Sequence, residues 1–396
     1  MMRILHIGKY YPPFAGGIEN FMADLLPALR AQDVAVAAVV HDEQAARSPA
    51  PTSSIDADAI PIYRAPAYGR LLYAPISPAF PLWLQRAIRE FKPDLLHLHL
   101  PNTSAFWALA LPAARRLPWV IHWHADVVSS QIDRRLGLAY RTLYRPLEQR
   151  LLAASRAVIA TSPPYLDASD ALTRWRQRCH VIPLGLETGR IADPEPAARQ
   201  RATALWGETG FRVLAIGRLT YYKGHDVLIR AAAELPDSRI LIVGTGEQRE
   251  RLETLRNALD LGDRVCLPGF QPEADLNALL ASCDVLCLPS LERTEAFGLV
   301  LLEAMRFGKA VVVSDIPGSG AGWVVRQAGH GLLVPLGDVG ALATALRTLQ
   351  LDPTRRETLA QAGPIALREQ FGIGPVAAAT AALYRQVLAD VGSARS

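Results

Sequence analysis

Arg212-Val213-Leu214-Ala215-Ile216-Gly217-Arg218-Leu219-Thr220-Tyr221-Tyr222-Lys223-Gly224 sets out one strand, one glycine-bounded loop and the approach to one helix. Arg212 to Ile216 is short and apolar, as a strand covered on both faces must be, and a helical pattern takes over near His225. The unit recurs, with strands predicted at Arg239 to Val243, Val265 to Leu267, Val285 to Leu288 and Ala310 to Val313. An earlier series runs through Ile4 to Ile7, Val34 to Val40, Leu95 to Leu98, Trp119 to His122, Ala157 to Ala160 and His180 to Ile182. Strands alternating with helices imply parallel sheets covered by helices. A series that stops and restarts within 396 residues implies two of them. The expected fold class is therefore α/β, with two doubly wound Rossmann-like parallel-sheet domains facing a cleft. Residues 1–186 form the first, 187–370 the second, and 371–396 a final helix packing back toward the first; the linker is placed near Gly185 to Pro196. Ligands of such sheets bind beyond the carboxyl ends of the strands, so the loops there are where chemistry is sought.

Composition narrows the function. Half the residues are apolar and a fifth are charged, which suits a globular chain and excludes collagen, coiled coil and disorder. The longest apolar candidate, Ser104 to Ala114, is too short to span a bilayer. Arg3-Ile4-Leu5-His6-Ile7-Gly8 reads as a strand and lacks the features of a signal peptide, so a cytoplasmic protein is expected. Cys179, Cys266, Cys283 and Cys287 are too few for a disulfide scaffold and read as reduced thiols. Basic residues are 38 Arg and 4 Lys, and the halves differ: net +6 over residues 1–186 against −2 over the rest. That asymmetry is compatible with an acidic membrane surface or an anionic acceptor and too weak to argue for nucleic acid.

Several loops stand out. After the first strand, Gly16 and Gly17 precede a helix pattern beginning near Ile18; paired glycines there let backbone N–H groups approach an anion. A dinucleotide fingerprint is absent, because Gly244-Thr245-Gly246 is followed by Arg249 where a third glycine is needed. His97, His99, His122 and His124 fall at the ends of two adjacent predicted strands and are expected to project into the cleft. No cysteine or glutamate accompanies them, so a hydrogen bond from one histidine to a sugar hydroxyl or phosphate is favoured over a metal site. Arg218 and Lys223 place two cations in the loop quoted at the outset, which suits a diphosphate. Finally, Glu295-Ala296-Phe297-Gly298-Leu299 leads into a short apolar helix that carries Glu303. The N–H groups around Phe297 to Val300 would face an anion, and Glu303 could accept from a ribose diol.

In this order and spacing, Gly16-Gly17-Ile18-Glu19, His97-Leu98-His99, His124-Ala125-Asp126, Gly217-Arg218-Leu219 with Lys223-Gly224, Gly244-Thr245-Gly246-Glu247 and Glu295-Ala296-Phe297-Gly298 with Glu303 resemble the retaining, metal-independent glycosyltransferases of the GT-B class, specifically family 4. The resemblance covers essentially the whole chain. It implies that Arg218 and Lys223 bind the donor diphosphate, Glu303 the ribose and Glu295 the hydroxyls of the transferred sugar. It also implies donor contacts from the backbone at Phe297, Gly298 and Leu299, from Gly244, and from Gly16 and Gly17, with His124 at the reaction centre. No metal or other cofactor is implied beyond the nucleotide-sugar donor, and the departing phosphate itself assists deprotonation of the acceptor hydroxyl. Leu184 stands where the family usually has asparagine.

The expected function is transfer of a hexose from GDP-mannose or a UDP-sugar to a glycan or polyprenyl-linked glycan, in bacterial polysaccharide or envelope assembly. A nucleotide-sugar 2-epimerase and a non-catalytic nucleotide-sugar-binding protein remain alternatives. Acceptor docking is expected on the first domain, at Tyr68 to Ile76 and along Arg134 to Arg150, where arginines interleave with leucines and tyrosines. Such a stretch fits either the cytoplasmic face of a membrane or an ordinary helix with a buried apolar side.

Overall fold

The computed structural model describes the chain except Ala15, residues 44–52, Ala57, 72–73, 128–136, 139, 208–209 and 394–396. It divides into two compact units, Met1–Gly185 with Ile373–Ser396, and Leu186–Gly372. In the first unit the strands are β1 (Met2–Ile7), β2 (Val34–Asp42), β3 (Ser53–Ile55), β4 (Pro61–Pro66), a small hairpin of β5 (Arg70–Leu71) and β6 (Ala74–Pro75), β7 (Leu95–Leu100), β8 (Trp119–Trp123), β9 (Ala157–Ala160) and β10 (Cys179–Val181). Leaving the hairpin aside, they form one sheet in the order β10-β9-β8-β7-β1-β2-β4-β3, parallel throughout except for β3 against β4. Winding starts at β1, runs outward through β2 to β4, then restarts at β7 on the other side of β1. The reversal between β1 and β7 is where a sheet of this kind opens a crevice. Ile4, Leu5 and Ile7 of β1 are fully buried on alternating faces, which requires helices on both sides of the sheet.

One of those helices is Ile373–Ser393, made after the whole of the second unit. It buries Ile373, Val376, Ala377, Thr380, Ala381, Leu383, Tyr384 and Val387, a stripe at helical spacing, and packs on the helix Gly17–Arg30.

The second unit is a six-stranded parallel sheet of β11 (Phe211–Ile216), β12 (Ser238–Val243), β13 (Val265–Gly269), β14 (Val285–Leu288), β15 (Ala310–Ser314) and β16 (Gly331–Val334). Its order is β13-β12-β11-β14-β15-β16, with the reversal between β11 and β14. Val213, Ala215, Ile240, Ile242, Val285, Cys287 and Val312 fill one core with helix residues Leu228, Ile229 and Leu346. All four cysteines are free thiols, and Cys283 and Cys287 are buried. The eleven anticipated strands are present to within about two residues at either end, whereas β3, β4, the β5–β6 hairpin and β16 lie outside that expectation. Proline bounds β4 on both sides, and a glycine opens β16. Among the described residues no helix is long and apolar enough to cross a membrane.

Candidate functional site

In the second unit the loops after β11, β12, β14 and β15 converge at the carboxyl end of the sheet. Gly217 follows β11 with a φ of 154° that lets the chain turn sharply, and Gly244 follows β12 with φ 147°. A Cβ on Gly244 would lie 1.9 Å from the carbonyl oxygen of Gly217, so these strand ends touch backbone to backbone. The Leu219 N–H donates to the Thr245 carbonyl at 2.9 Å, and the Gln248 N–H to the Leu219 carbonyl at 2.9 Å, which fixes the loop carrying Arg218. Tyr221–Lys223 then forms a single 3₁₀ turn, and Gly224, left-handed at φ 63°, caps the helix His225–Ala232. A Cβ on Gly224 would sit 2.0 Å from the Pro289 carbonyl oxygen, just beyond β14.

That closeness brings the two predicted clusters together. Lys223 Nζ donates to Glu295 Oε2 at 2.6 Å, and Ser290 Oγ donates to the same oxygen at 3.0 Å. Tyr221 Oη donates to Glu292 at 2.7 Å, a second tie between the loops. The Lys223 and Glu295 side chains are only 13% and 10% exposed. Burial alone would pull the lysine down, yet the facing carboxylate offsets it and holds Lys223 above its ordinary value. Lys223 is thus a firmly charged ammonium whose stem lies against Gly217, where a Cβ would meet Cε at 3.0 Å. Arg218 is exposed and close enough to oppose the charge on Lys223. Two cations therefore share one loop, and the carboxylate beside them belongs to the next.

The next loop ends at Gly298, left-handed at φ 77°, which caps the helix Leu299–Arg306. Phe297 is buried, and Glu303 is half-buried one turn into the helix. From the loop after β15, the Gly320 N–H donates to the Ala296 carbonyl at 2.8 Å and Ser319 Oγ donates to the Glu295 carbonyl. The segment that carries Glu295 is thereby held from both sides. Arg218, Lys223, Gly244, Glu295, Phe297, Gly298, Leu299 and Glu303 all lie on these loops or the helix they open. Ser290 and Ser319 carry no local signal that would single them out in the sequence; only the fold brings them to Glu295.

Gly16, Gly17 and His124 belong to the first unit. Gly16 caps the helix Gly17–Arg30, and a Cβ there would lie 2.2 Å from Glu19 Oε2; at Gly17 the corresponding space is open. Phe21, one turn into that helix, meets the rings of His122 and His124 edge-on at 5.2 and 5.7 Å. The loop after β8 is anchored by Asp126, which accepts from Trp123 Nε1 and from Ser169 Oγ, each at 2.7 Å.

The expectation that His97, His99, His122 and His124 project from strand ends is corrected. All four are buried inside the unit with His6 of β1, a residue that nothing in the sequence connects to them. Alternate residues of a strand share a face, and register sets His6 beside His97 and His99 beside His122, so five imidazoles meet on one side of the sheet. Their planes are within 3–30° of parallel, with centroids 4.2–5.4 Å apart. Burial pulls His6 and His124 down to about 3 and holds His97, His99 and His122 well below the ordinary range, so all five are neutral near pH 7. Two triads, His6/His97/His99 and His99/His122/His124, bring ligand nitrogens within 4.8 Å of one another. His99, common to both, already engages each ring nitrogen with another histidine.

The acceptor stretches are described in part. Leu72, Tyr73, Arg134, Arg135 and Leu136 lie outside the described residues. Tyr140–Tyr144 forms a π-helical turn that runs into the helix Arg145–Ala154, where Glu148, Leu151 and Leu152 are buried. Leu138 and Leu143 are 61% and 69% exposed beside exposed Arg141.

Comparison with known proteins agrees with this layout. Residues 197–365 match the family model described as glycosyl transferases group 1, and residues 16–185 match the glycosyl transferase 4-like domain. The chain is 30% identical over 355 residues to the O-antigen chain mannosyltransferase C of Escherichia coli, covering 88% of each protein. Among solved structures it resembles the sucrose-phosphate synthase (tll1590) of Thermosynechococcus elongatus, with a TM-score of 0.79, 26% identity, and 98% of this chain and 100% of that one covered. It also shares the fold of Anabaena Alr3699/HepE in complex with UDP, at TM-score 0.74 and 21% identity, with 98% and 100% covered.

Proposed function

The chain belongs to the group 1 glycosyltransferases and has the GT-B fold, and from that premise we propose that it is a retaining enzyme moving a hexose from a nucleoside-diphosphate sugar to a hydroxyl of a glycan or polyprenyl-linked glycan in envelope polysaccharide assembly. The observation that carries the reading is the pairing of Lys223 with Glu295 beside Arg218, at the start of the helix Leu299–Arg306. Breaking the anomeric C–O bond puts negative charge on the departing diphosphate and positive character on the sugar. Arg218, Lys223 and the N–H groups at Phe297, Gly298 and Leu299 supply fixed positive charge for the first, so no metal ion is required for that role. Glu295, already oriented by Lys223 and Ser290, takes hydroxyls of the sugar whose phosphate Lys223 grips. Glu303 accepts from the ribose diol, and Gly244 keeps the neighbouring strand end close. In the first unit Gly16 and Gly17 approach the phosphate, and His124 meets the transferred sugar.

Retention follows if the departing phosphate takes the proton of the acceptor hydroxyl on the face from which it leaves. Glu295, tied to a lysine, is then a binding group and not a nucleophile. The mannosyltransferase relative favours mannose as the sugar, and GDP-mannose and UDP-sugars both stay in contention as donors, the latter also because a fold neighbour binds UDP. Exposed Leu138 and Leu143 among arginines support contact with an anionic membrane face, where a polyprenyl-linked acceptor would reside.

A thermal-shift panel of UDP, GDP and ADP with their hexose conjugates tests the donor, since selective binding raises apparent stability. One nucleotide series should stabilise wild type and lose its effect in Lys223→Ala. Incubation of the stabilising donor alone must leave its sugar unchanged, and adding a polyprenyl-linked glycan must release nucleotide. No stabilisation by any nucleotide, or epimerised donor without acceptor, would overturn the reading.

A further inference from the structure

The five buried histidines are not equivalent. His6 Nδ1 lies 3.0 Å from His99 Nε2, and His99 Nδ1 lies 2.9 Å from His124 Nε2. The corresponding ring planes are only 27° and 14° apart, with centroids at 5.3 and 5.2 Å. Those are edge-to-edge contacts between nearly coplanar rings, the geometry of N–H···N hydrogen bonds. His97 and His122 lie flat on this row, His97 over His99 at 4.5 Å and His122 over His124 at 4.2 Å. His97 is itself hydrogen-bonded to the hydroxyl of Tyr384, in the helix Ile373–Ser393. The row is therefore held in plane from one side.

A neutral imidazole has one N–H and one lone pair. His99, in the middle, must donate to one neighbour and accept from the other, so the row has a direction. Only two arrangements keep both bonds. In one, all three rings carry the proton on Nδ1; in the other, all three carry it on Nε2. The row ends on His6 Nε2 and His124 Nδ1, and neither has a hydrogen-bond partner among the described residues. His124 directly follows β8 and leads into the loop anchored by Asp126. With the first arrangement His124 Nδ1 offers a proton at that end of the strand; with the second it offers a lone pair. Buried unpaired nitrogens are costly enough to need a reason, and a ligand hydroxyl at His124 Nδ1 would supply one.

We propose that His6 and His99 are positioning residues that fix the tautomer of His124, so that its Nδ1 meets a sugar hydroxyl in one defined role. The proposal rests on the part given to His124 above and extends it back through the sheet to the first strand. Exchange between the two arrangements moves one proton along each hydrogen bond, takes up one at one end of the row and releases one at the other. No ring becomes cationic at the end of it, which spares the buried row the cost of an unpaired charge.

Ring ¹⁵N spectra of histidine-labelled full-length protein near pH 7 test this directly, with signals assigned from single His→Gln variants. His6, His99 and His124 should show the same neutral tautomer. His6→Leu, which removes one bond, should leave His124 a mixture of tautomers and lower kcat on the order of tenfold with donor KM within about twofold. His6→Asn places an amide nitrogen near the position of Nδ1 and should restore both the single tautomer and most of kcat. Opposite tautomers at His6 and His124, an imidazolium in the row, or a His6→Leu variant with unaltered His124 signals and kcat would overturn the proposal. So would stabilisation of wild type, but not of His99→Leu, by zinc chloride, because the cluster would then be a metal site. Should His6→Leu fail to fold, the wild-type tautomers alone decide. If His124→Ala leaves transfer intact, the role of His124 in catalysis falls, while the tautomer pattern still answers for the row.

Discussion

Acidification from pH 7 to pH 5 should unfold the first unit before the second. Burial holds six of its histidines neutral: His6 and His124 are lowered to about 3, His41 to about 4, and His97, His99 and His122 well below the ordinary range. In the unfolded chain each regains an ordinary pKa near 6.5. The unfolded state then binds protons that the folded state refuses, so the stabilisation is fully present above about pH 6.5 and is lost as the pH falls below it. Each of the three lowered to about 3 or 4, His6, His41 and His124, costs about 1.4 kcal/mol for every pH unit below 6.5, or about 2 kcal/mol at pH 5. Those three together cost on the order of 6 kcal/mol at pH 5, and His97, His99 and His122 add to the loss in the same direction, against a total stability of roughly 5–15 kcal/mol for a domain. The second unit has two comparable groups, His225 and His330, each lowered to about 4 by burial, and loses less. Hydrogen exchange read peptide by peptide at stepped pH separates the units, and calorimetry in buffers of different ionisation enthalpy counts the protons taken up. A first unit as protected at pH 4.5 as at pH 7, or one that opens no earlier than the second, would show that these imidazoles are not held neutral.

Three further outcomes concern the loops of the second unit. Lys223→Ala should lower turnover on the order of 10²-fold, because a preorganised charge at the departing diphosphate is lost and Glu295 loses its ion pair; steady-state rates within threefold of wild type would remove Lys223 from the mechanism. Glu303→Ala should chiefly raise donor KM, since a ribose contact is similar in ground and transition states, and a large fall in kcat at constant KM would contradict that role. Gly244→Ala forces a Cβ against the Gly217 carbonyl at a φ of 147° and should cost about 1–3 kcal/mol, read as a lower Tm with a raised donor KM. An unchanged melting curve would show that the two strand ends are free to part.

Much of this architecture could be read from the chain alone, because strands of a parallel sheet are buried on both faces and appear as uninterrupted apolar runs. Val285–Leu288 and Ala157–Ala160 were located to the residue for that reason. β4 was invisible because prolines bound it and Arg64 interrupts it, and β16 because Gly331 opens a half-buried edge strand. The site divides in the same way. Glycine-bounded loops at strand ends announced Arg218, Lys223, Glu295 and Gly298, since sharp turns and helix starts have local signatures. What could not be read was which of them touch: the bond between Lys223 and Glu295 joins residues 72 apart through the neighbouring of β11 and β14. The histidine cluster was misplaced for the same reason. His-x-His shows that two side chains share a face, but only the register of β1 with β7 puts His6, 93 residues away from His99, beside them.

The helix Ile373–Ser393 carries a consequence for how the protein is made. Its Tyr384 reaches His97, and its Arg385 donates to the Gln32 carbonyl at 3.0 Å, so the unit begun by the first residues is completed by the last. During synthesis the early strands leave the ribosome well before their missing wall exists, whereas Leu186–Gly372 emerges as one uninterrupted stretch. The later-made unit can therefore mature first, while the earlier one waits with apolar surface uncovered and in need of chaperone protection. Truncation ahead of residue 373 would leave that exposure permanent, and insoluble product is its expected sign.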